Sequence, residues 1–245
     1  MECFIVLPED VEEGTLLLRD EEAHHAIRSL RLRAGDILLA TNLIGTCYRC
    51  QLLDHDRDAT SIKCEIGEVL PEYCEPRRDI LLIQGAISQP ARWEFLIEKA
   101  TELGVRIIQP VITERTERSH FKLDRSERIL RAAVKQTKRA RKPEIRLTQS
   151  GELNSLTDAL TQAASESRTV YLAHESAAQK AEMLGMPPGL PNQPIAIVIG
   201  PEGGFTDEEV ERASSKFGAQ IISLGPRRLR AETAAIAALA IMMER

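Results

Sequence analysis

Two glycine-rich segments near the C-terminus constrain the fold of this 245-residue chain more than any other feature. The first reads IVIGPEGGFT over residues 197–206, and the second reads ISLGPRRLRAET over residues 222–233. Each passes from a β-branched apolar run, through a glycine turn, into a pattern typical of a helix. Such turns place backbone N–H groups and helix N-termini at the carboxyl edge of a parallel sheet, where α/β proteins bind small ligands. The two turns together predict one pocket.

The first turn lacks the residues that define phosphate-binding loops. No Lys-Ser or Lys-Thr pair follows its glycines, and Pro201 and Glu202 separate the first glycine from the next, so neither a P-loop nor a GxGxxG fingerprint is present. Taken alone, the glycines also fit a plainer interpretation, in which they only allow positive φ between strand and helix. Thr206 and Glu209 predict a capping box at the start of the next helix. A cofactor here would be held mainly by backbone contacts and apolar walls.

The charge of the chain is unevenly distributed. The net charge is −5, but residues 1–76 hold 7 Lys/Arg against 16 Asp/Glu, whereas residues 115–146 hold 12 Lys/Arg against 4 Asp/Glu. A polyanion responds to a local positive patch rather than to the net charge, because screening limits the range of the field. The basic segment therefore favours nucleic-acid binding, although it also fits the solvated face of a surface helix.

The five cysteines all lie within the first 74 residues. An odd number in this arrangement favours free thiols in a reducing compartment. Cys47 and Cys50 have CxxC spacing, but no second CxxC pair accompanies them, so we expect no metal site. The chain has no run of eighteen apolar residues and no basic start typical of a signal peptide, so we expect a cytoplasmic protein that is not inserted in a membrane.

The pattern of apolar residues changes once along the chain. Short strand-like runs dominate the first part and predict a small β-barrel, followed by a proline-containing linker at 71–76. Strand and helix patterns alternate after the linker, which predicts a mostly parallel sheet covered by helices on both faces. The predicted strands are 3–7, 15–18, 36–40, 46–53, 60–69, 80–87, 105–112, 144–148 and 169–173, and the predicted helices are 20–32, 92–103, 124–139, 153–164 and 232–243, with a proline-rich loop at 185–194.

Several segments, in the right order, resemble the SPOUT class of RNA methyltransferases. Within that class the chain is most similar to the family that methylates N3 of a uridine in 16S ribosomal RNA. The similar segments are HAIRSLR at 25–31 with Gly35-Asp36, EKATELGV at 98–105, TERTERS at 113–119, Gln136, Arg139 and PEI at 143–145, His174-Glu175 and the two glycine turns.

The resemblance implies an α/β fold with two domains. Residues 1–71 would form a PUA-like, RNA-binding β-barrel, and residues 77–245 a SPOUT methyltransferase domain with a parallel sheet and a knot near 195–233. S-adenosylmethionine would bind against the knot, and small-subunit ribosomal RNA or the assembled subunit would be the substrate. Family members are homodimers, so we expect the alanine-rich final helix (Ala234, Ala235, Ala238 and Leu239) to pack against a second copy.

The resemblance and the turns also assign the site residues. Arg230 would stabilise the anionic imide of the target uracil, and Glu232 would act as general base or orient Arg230. The expected cofactor-binding residues are Leu172, His174, Ile199, Gly200, Glu202, Gly203, Gly204, Leu224, Gly225 and Leu229. The expected RNA-binding residues are Arg28, Arg31, Arg115, Arg118, Lys138, Arg139 and Arg141.

Two alternatives remain open at this point. One is a SPOUT methyltransferase that acts on a tRNA ribose. The other is a non-catalytic RNA-binding factor in ribosome assembly, which would keep the fold without turnover.

Overall fold

The computed structural model describes residues 1–56, 58–117, 121–175 and 193–243. The chain divides into two compact units. The first unit comprises Met1–Glu75 together with Arg131–Lys142, and the second comprises Pro76–Leu130 together with Pro143–Arg245. The main boundary falls at the linker expected from the prolines. Residues 131–142 belong to the first unit, whereas the sequence predicted that all of 77–245 forms a single domain.

The described residues of the first unit form the strands β1 (Cys3–Ile5), β2 (Val11–Glu12), β3 (Thr15–Arg19), β4 (Ile37–Thr41), β5 (Thr46–His55) and β6 (Ser61–Pro71). These strands make one mainly antiparallel sheet with the order β1-β4-β5-β6-β3-β2. Of the described pairs in this sheet, only β1 and β4 run parallel. The helix predicted at 20–32 is shorter, with α1 at Asp20–His24 and a π-helical turn at His25–Ser29.

The cysteines of β5 are part of the packed interior of this unit. Cys50 lies in a core cluster with Phe4 and Leu18, and Cys47 lies in a second cluster with Ala140. Burial raises the pKa of the Cys50 thiol to about 12 and that of Cys47 to about 11. A register shift in the pairing with β6 falls between Arg49 and Cys50. These thiols are protonated at neutral pH and act as small apolar side chains.

The segment 131–142 carries several of the basic side chains that the sequence assigned to RNA. Arg139 is buried, and its Nη2 lies 2.7 Å from Oε2 of Glu75, whose side chain is 7% exposed. Arg141 pairs with Glu72. A guanidinium enclosed with its counter-ion has no free face for a phosphate, so the structure contradicts a direct RNA contact by Arg139, whose role is structural.

The described residues of the second unit form seven parallel strands, which are β7 (Ile80–Gly85), β8 (Ile107–Ile112), β9 (Glu144–Ile145), β10 (Asn154–Ser155), β11 (Thr169–Ala173), β12 (Ile195–Ile199) and β13 (Gln220–Ile222). Their order across the sheet is β10-β8-β7-β12-β11-β13, with β9 beside β8. The helices are α2 (Pro90–Glu102), α3 (Leu123–Thr137), α4 (Leu156–Ser165), α5 (Asp207–Phe217) and α6 (Ala231–Met242). Residues 123–130 of α3 belong to this unit.

Most predicted elements are present, with shifted ends. The strand predicted at 144–148 ends at Ile145. Helix α4 begins three residues later than predicted from 153, because the hydroxyl of Ser155 accepts the N–H of Asp158 and caps the helix. The predicted loop at 185–194 lies almost entirely outside the described residues. Among the residues that the structure describes, no helix is long and apolar enough to cross a membrane.

Two separate cores cover the two faces of the parallel sheet. On β7, Ile80 and Leu82 pack into the core that contains α2 and α6, whereas Leu81 and Ile83 pack into the core that contains α4 and α5. A strand buried on both faces is apolar throughout, which explains the continuous ILLI run in the sequence. Because the strands pair in parallel, their carboxyl ends lie at one edge of the sheet, where the glycine turns begin.

Candidate functional site

The first glycine turn leaves β12 at Ile199 and enters α5. Gly204 has a φ of +71°, and its N–H donates to the carbonyl oxygen of Pro201 at 2.9 Å. The predicted capping box is confirmed, since Thr206 and Glu209 each bond the other's backbone N–H. The turn is therefore closed on itself and fixed to the helix that follows.

The turn is also pressed against the end of the neighbouring strand β7. A Cβ on Gly85 would lie 2.3 Å from the backbone nitrogen of Pro201, which real Cβ atoms do not tolerate. A Cβ on Gly203 would lie 2.9 Å from the carbonyl oxygen of Arg115. The side-chain amide of Gln84 donates to the carbonyl of Gly200 at 3.2 Å. Glycine is required here for close approach of three backbone segments.

Glu202 projects from this turn and is held by a loop that follows β7. The backbone N–H and the hydroxyl of Ser88 donate to Oε1 of Glu202 at 3.0 and 2.9 Å. Two donors on one oxygen fix the carboxylate and leave its other oxygen free to accept from a ligand. Glu202 lines the cavity described below.

The second glycine turn connects β13 to α6 and lies beside the end of β11. Gly225 has a φ of +106°, and its N–H donates to the hydroxyl of Ser223 at 3.2 Å. The N–H of His174 donates to the carbonyl of Ile222 at 3.0 Å, which joins the end of β11 to the start of this turn. Both glycine turns thus border the same sheet edge.

A cavity of about 410 Å³ lies between the two turns. This volume falls in the range of small-molecule sites. Arg230 lines this cavity. Nine of the ten predicted cofactor residues line it too, and they are His174, Ile199, Gly200, Glu202, Gly203, Gly204, Leu224, Gly225 and Leu229. Leu172 is the exception, because its side chain is fully buried in the core beneath α4 and α5. The Leu172 side chain therefore does not face the cavity, and the neighbouring Ala173 lines it. A backbone contact of the strand end at 172–174 with the cofactor stays a prediction.

The charges around the cavity are mostly positive. Five arginines and two glutamates are among its lining residues, and they are Arg92, Arg115, Arg227, Arg228 and Arg230 with Glu175 and Glu202. Arg230 is exposed at the N-cap of α6. Such an excess of cations at the mouth of a cavity favours a polyanionic partner.

The predicted catalytic pair is not held together in the way that the sequence suggested. Glu232 is buried in the first turn of α6, and its Oε1 lies 3.7 Å from Nε of Arg92 on α2. Among the described residues, neither an ion pair nor a hydrogen bond joins Glu232 to Arg230.

Four residues around the site were not predicted from the sequence, and they are Gln84, Gly85, Ser88 and Arg92. Of these, only Gly85 carried a local signal, because it is a glycine that ends an apolar strand.

Comparison with known proteins places these features in a family. A family model described as an RNA methyltransferase domain matches residues 74–243, and one described as an RNA methyltransferase PUA domain matches residues 18–63. Ribosomal RNA small subunit methyltransferase E of Synechocystis is 33% identical, with 96% of this chain and 75% of the relative covered. The Bacillus subtilis protein of the same description is 28% identical, with 94% and 91% covered.

Solved structures give the same result. A ribosomal RNA small subunit methyltransferase E from Neisseria gonorrhoeae, bound to S-adenosylmethionine, has a TM-score of 0.81 at 31% identity and covers 99% of this chain and 96% of its own. A methyltransferase from Legionella pneumophila in complex with the same cofactor has a TM-score of 0.73 at 28% identity, with 99% and 97% covered. The predicted SPOUT α/β fold with an N-terminal PUA domain is confirmed. The position of the knot, near 195–233, stays a prediction.

Proposed function

Because this chain belongs to the RNA methyltransferase family of the ribosomal RNA small subunit methyltransferases E, we propose that it methylates N3 of one uridine in small-subunit ribosomal RNA, with S-adenosylmethionine as methyl donor. The observation that supports this reaction most directly is the cavity between the two glycine turns, with apolar walls and cations at its mouth. A cytoplasmic location follows from a ribosomal substrate.

The residues of the cavity fit S-adenosylmethionine. Ile199, Leu224 and Leu229 offer apolar surface to the adenine. A Cβ at Gly204 or Gly225 would meet no atom within 4 Å, so the turn backbone is open to a ligand there. The cofactor carries a positive sulfonium and ammonium, and the carboxylate of Glu202 supplies the opposite charge.

The chain's task in the reaction is to prepare the uridine. Uracil N3 lies on the Watson–Crick edge and carries a proton, so the base must be unpaired and N3 must lose that proton. Arg230 is positioned at the cavity mouth, where its guanidinium stabilises the negative charge that develops on the imide. Glu232 serves the same step, either as general base or by orienting a cation. Bound S-adenosylmethionine supplies the electrophilic methyl group.

The remaining basic residues are proposed to bind the RNA backbone. Arg28 and Arg31 are exposed in the first unit, and Arg115 is exposed in the second. Lys138 and Arg141 are half-buried, and Arg141 has Glu72 as a partner. Arg118 lies outside the described residues. Contacts of this kind position the RNA and weaken as salt increases.

The test is transfer of a labelled methyl group from S-adenosylmethionine to small-subunit RNA and to assembled subunits, followed by nucleoside analysis. We expect 3-methyluridine as the labelled product. Label in a ribose would support instead the alternative of a SPOUT enzyme for tRNA ribose. Label in neither substrate, with cofactor binding intact, would contradict the proposed RNA.

We also propose that the active form is a homodimer, as the resemblance implies. The residues first assigned to the partner contact require correction, because Ala235, Ala238 and Leu239 are buried in the core with α2, and Ala234 lines the cavity. The solvent side of α6 instead presents Ala240 and Ile241, of which Ile241 is 37% exposed.

Analytical ultracentrifugation is expected to give twice the chain mass of 27.3 kDa. The Ile241→Asp variant should sediment as a monomer with unchanged circular dichroism, because a charge would replace apolar surface in the contact. A wild-type monomer at micromolar concentration would contradict the dimer.

A further inference from the structure

The buried carboxylate of Glu232 has a partner that the sequence did not indicate. Its side chain is 9% exposed, and Nε of Arg92 lies 3.7 Å from Oε1. Oε2 of Glu232 is buried and has no hydrogen-bond partner among the described residues. A carboxylate in this position needs compensation for lost hydration, and the guanidinium of Arg92 is the cation that provides it.

The backbone of Arg92 is fixed by the packing of α2, and its side chain lines the cavity. It lies in the first turn of α2, and the next residue, Trp93, is buried with its indole N–H donating to the hydroxyl of Ser126 at 2.9 Å. Helix α2 packs against α6 in the core of this unit, which sets the distance between Arg92 and Glu232. The Arg92 side chain is 27% exposed and lines the cavity together with Arg230.

Arg92 and Glu232 differ in their position relative to the cavity. Arg92 and Arg230 are lining residues, whereas Glu232 is not. Only one Glu232 oxygen engages Arg92, and the 3.7 Å separation is longer than a good charge-assisted hydrogen bond. A buried carboxylate behind a cation is suited to aim that cation at a ligand, whereas a proton acceptor must reach the proton that it removes.

We propose that Arg92 is a second cation of the methyl-transfer site, which stabilises the anionic imide of the target uracil, and that Glu232 is the positioning residue that aims it. This inference depends on the proposed function. It assigns to Arg92 a contact with the reacting base and removes Glu232 from the role of proton acceptor.

The step balances without a protein base. The N3–H bond of uracil breaks and its proton goes to solvent water, leaving the electron pair on N3 and its conjugated oxygens. That electron pair forms the new N–C bond to the methyl group while the C–S bond breaks, and S-adenosylhomocysteine leaves as a neutral thioether. The guanidinium groups of Arg92 and Arg230 meet a negative charge only once the imide loses its proton. They therefore stabilise the transition state more than the ground state.

The first experiment compares single-turnover methylation by the wild type and by Arg92→Ala and Arg92→Lys, with S-adenosylmethionine affinity measured by calorimetry. We expect about a 100-fold slower step for Arg92→Ala, partial recovery in Arg92→Lys and an unchanged cofactor Kd. The matched control is Lys99→Ala on the same helix, which removes a surface cation paired with Glu98 and Glu102. A weaker cofactor Kd with an unchanged step would mean that Arg92 binds the cofactor carboxylate, and would overturn the proposal.

The second experiment separates positioning from proton transfer by Glu232. If solvent takes the proton, the single-turnover rate rises with pH in the wild type, and Glu232→Gln keeps that profile at about a tenfold lower level. The double variant Arg92→Ala/Glu232→Gln should be no slower than Arg92→Ala, because Glu232 acts through Arg92. A wild-type rate that is flat with pH, and that becomes pH-dependent only in Glu232→Gln, would identify Glu232 as the base and overturn the proposal.

Different results contradict the proposed function and the role of Arg92. Absence of 3-methyluridine from the wild-type product contradicts the proposed function itself. Formation of 3-methyluridine at the wild-type rate by Arg92→Ala contradicts only the role of Arg92.

Discussion

Replacing Arg230 with alanine is expected to slow methyl transfer about 1000-fold while S-adenosylmethionine affinity stays within about twofold. Arg230 is exposed at the N-cap of α6 and lines the cavity. Among the described residues it forms no ion pair, so its charge is available to the substrate. Its contribution arises when the uracil imide becomes anionic, and the loss should therefore appear in kcat rather than in cofactor binding.

The measurement is single-turnover transfer of labelled methyl to small-subunit RNA, with cofactor Kd from calorimetry on the same preparations. Arg212→Ala is the matched control, since Arg212 is also exposed in the second unit but does not line this cavity. Arg230→Lys should recover part of the rate, because it keeps the charge but loses the planar fork. A loss confined to RNA affinity, with the rate at saturating RNA unchanged, would show that Arg230 binds the phosphate backbone.

Replacing Gly85 with alanine is expected to disrupt the cofactor site, although Gly85 itself does not line the cavity. The added Cβ would lie 2.3 Å from the backbone nitrogen of Pro201 and 2.8 Å from the carbonyl carbon of Gly200. Both are backbone atoms of the first glycine turn, so no side chain can move aside. We expect a loss of about 1–3 kcal/mol in the free energy of unfolding and cofactor binding at least about tenfold weaker, because the turn must shift.

Chemical denaturation and calorimetry measure these two effects. Gly67→Ala is the matched control, because Gly67 also lies in a strand without positive φ. The atom nearest to an added Cβ there, the carbonyl oxygen of Arg49, is at an ordinary 3.5 Å. The control should leave both quantities nearly unchanged. Normal cofactor affinity in Gly85→Ala would mean that the turn adjusts freely and that its fixed shape is unimportant for binding.

Local sequence signals predicted the elements around the site because those signals act over a few residues. The capping box of Thr206 and Glu209 depends on backbone N–H groups within one helical turn. The first glycine turn follows β12, an apolar strand that is buried on both faces, which is the pattern of a doubly covered parallel sheet. The strand at Thr169–Ala173 was predicted with the ends that the structure shows.

The failures concern residues whose partners are distant in sequence. Arg139 belongs to a basic segment, and nothing local indicated that Glu75 would enclose it. Leu172 belongs to the strand end at 172–174 that is expected to hold the cofactor through its backbone, and its side chain packs into the core instead of facing the cavity. Periodicity reports that a side chain is buried or exposed, and it does not report which group it meets.

The sequence by itself therefore determined most of the strands and helices in their order, the two glycine turns, the capping of α5 and the family to which the chain belongs. Only the tertiary structure decided that Ser88 holds Glu202, that Gly85 must lack a side chain and that Glu232 faces Arg92 rather than Arg230. The physical reason is that helix and strand signals are local. Contacts across a sheet edge or between packed helices arise only when distant segments are folded together.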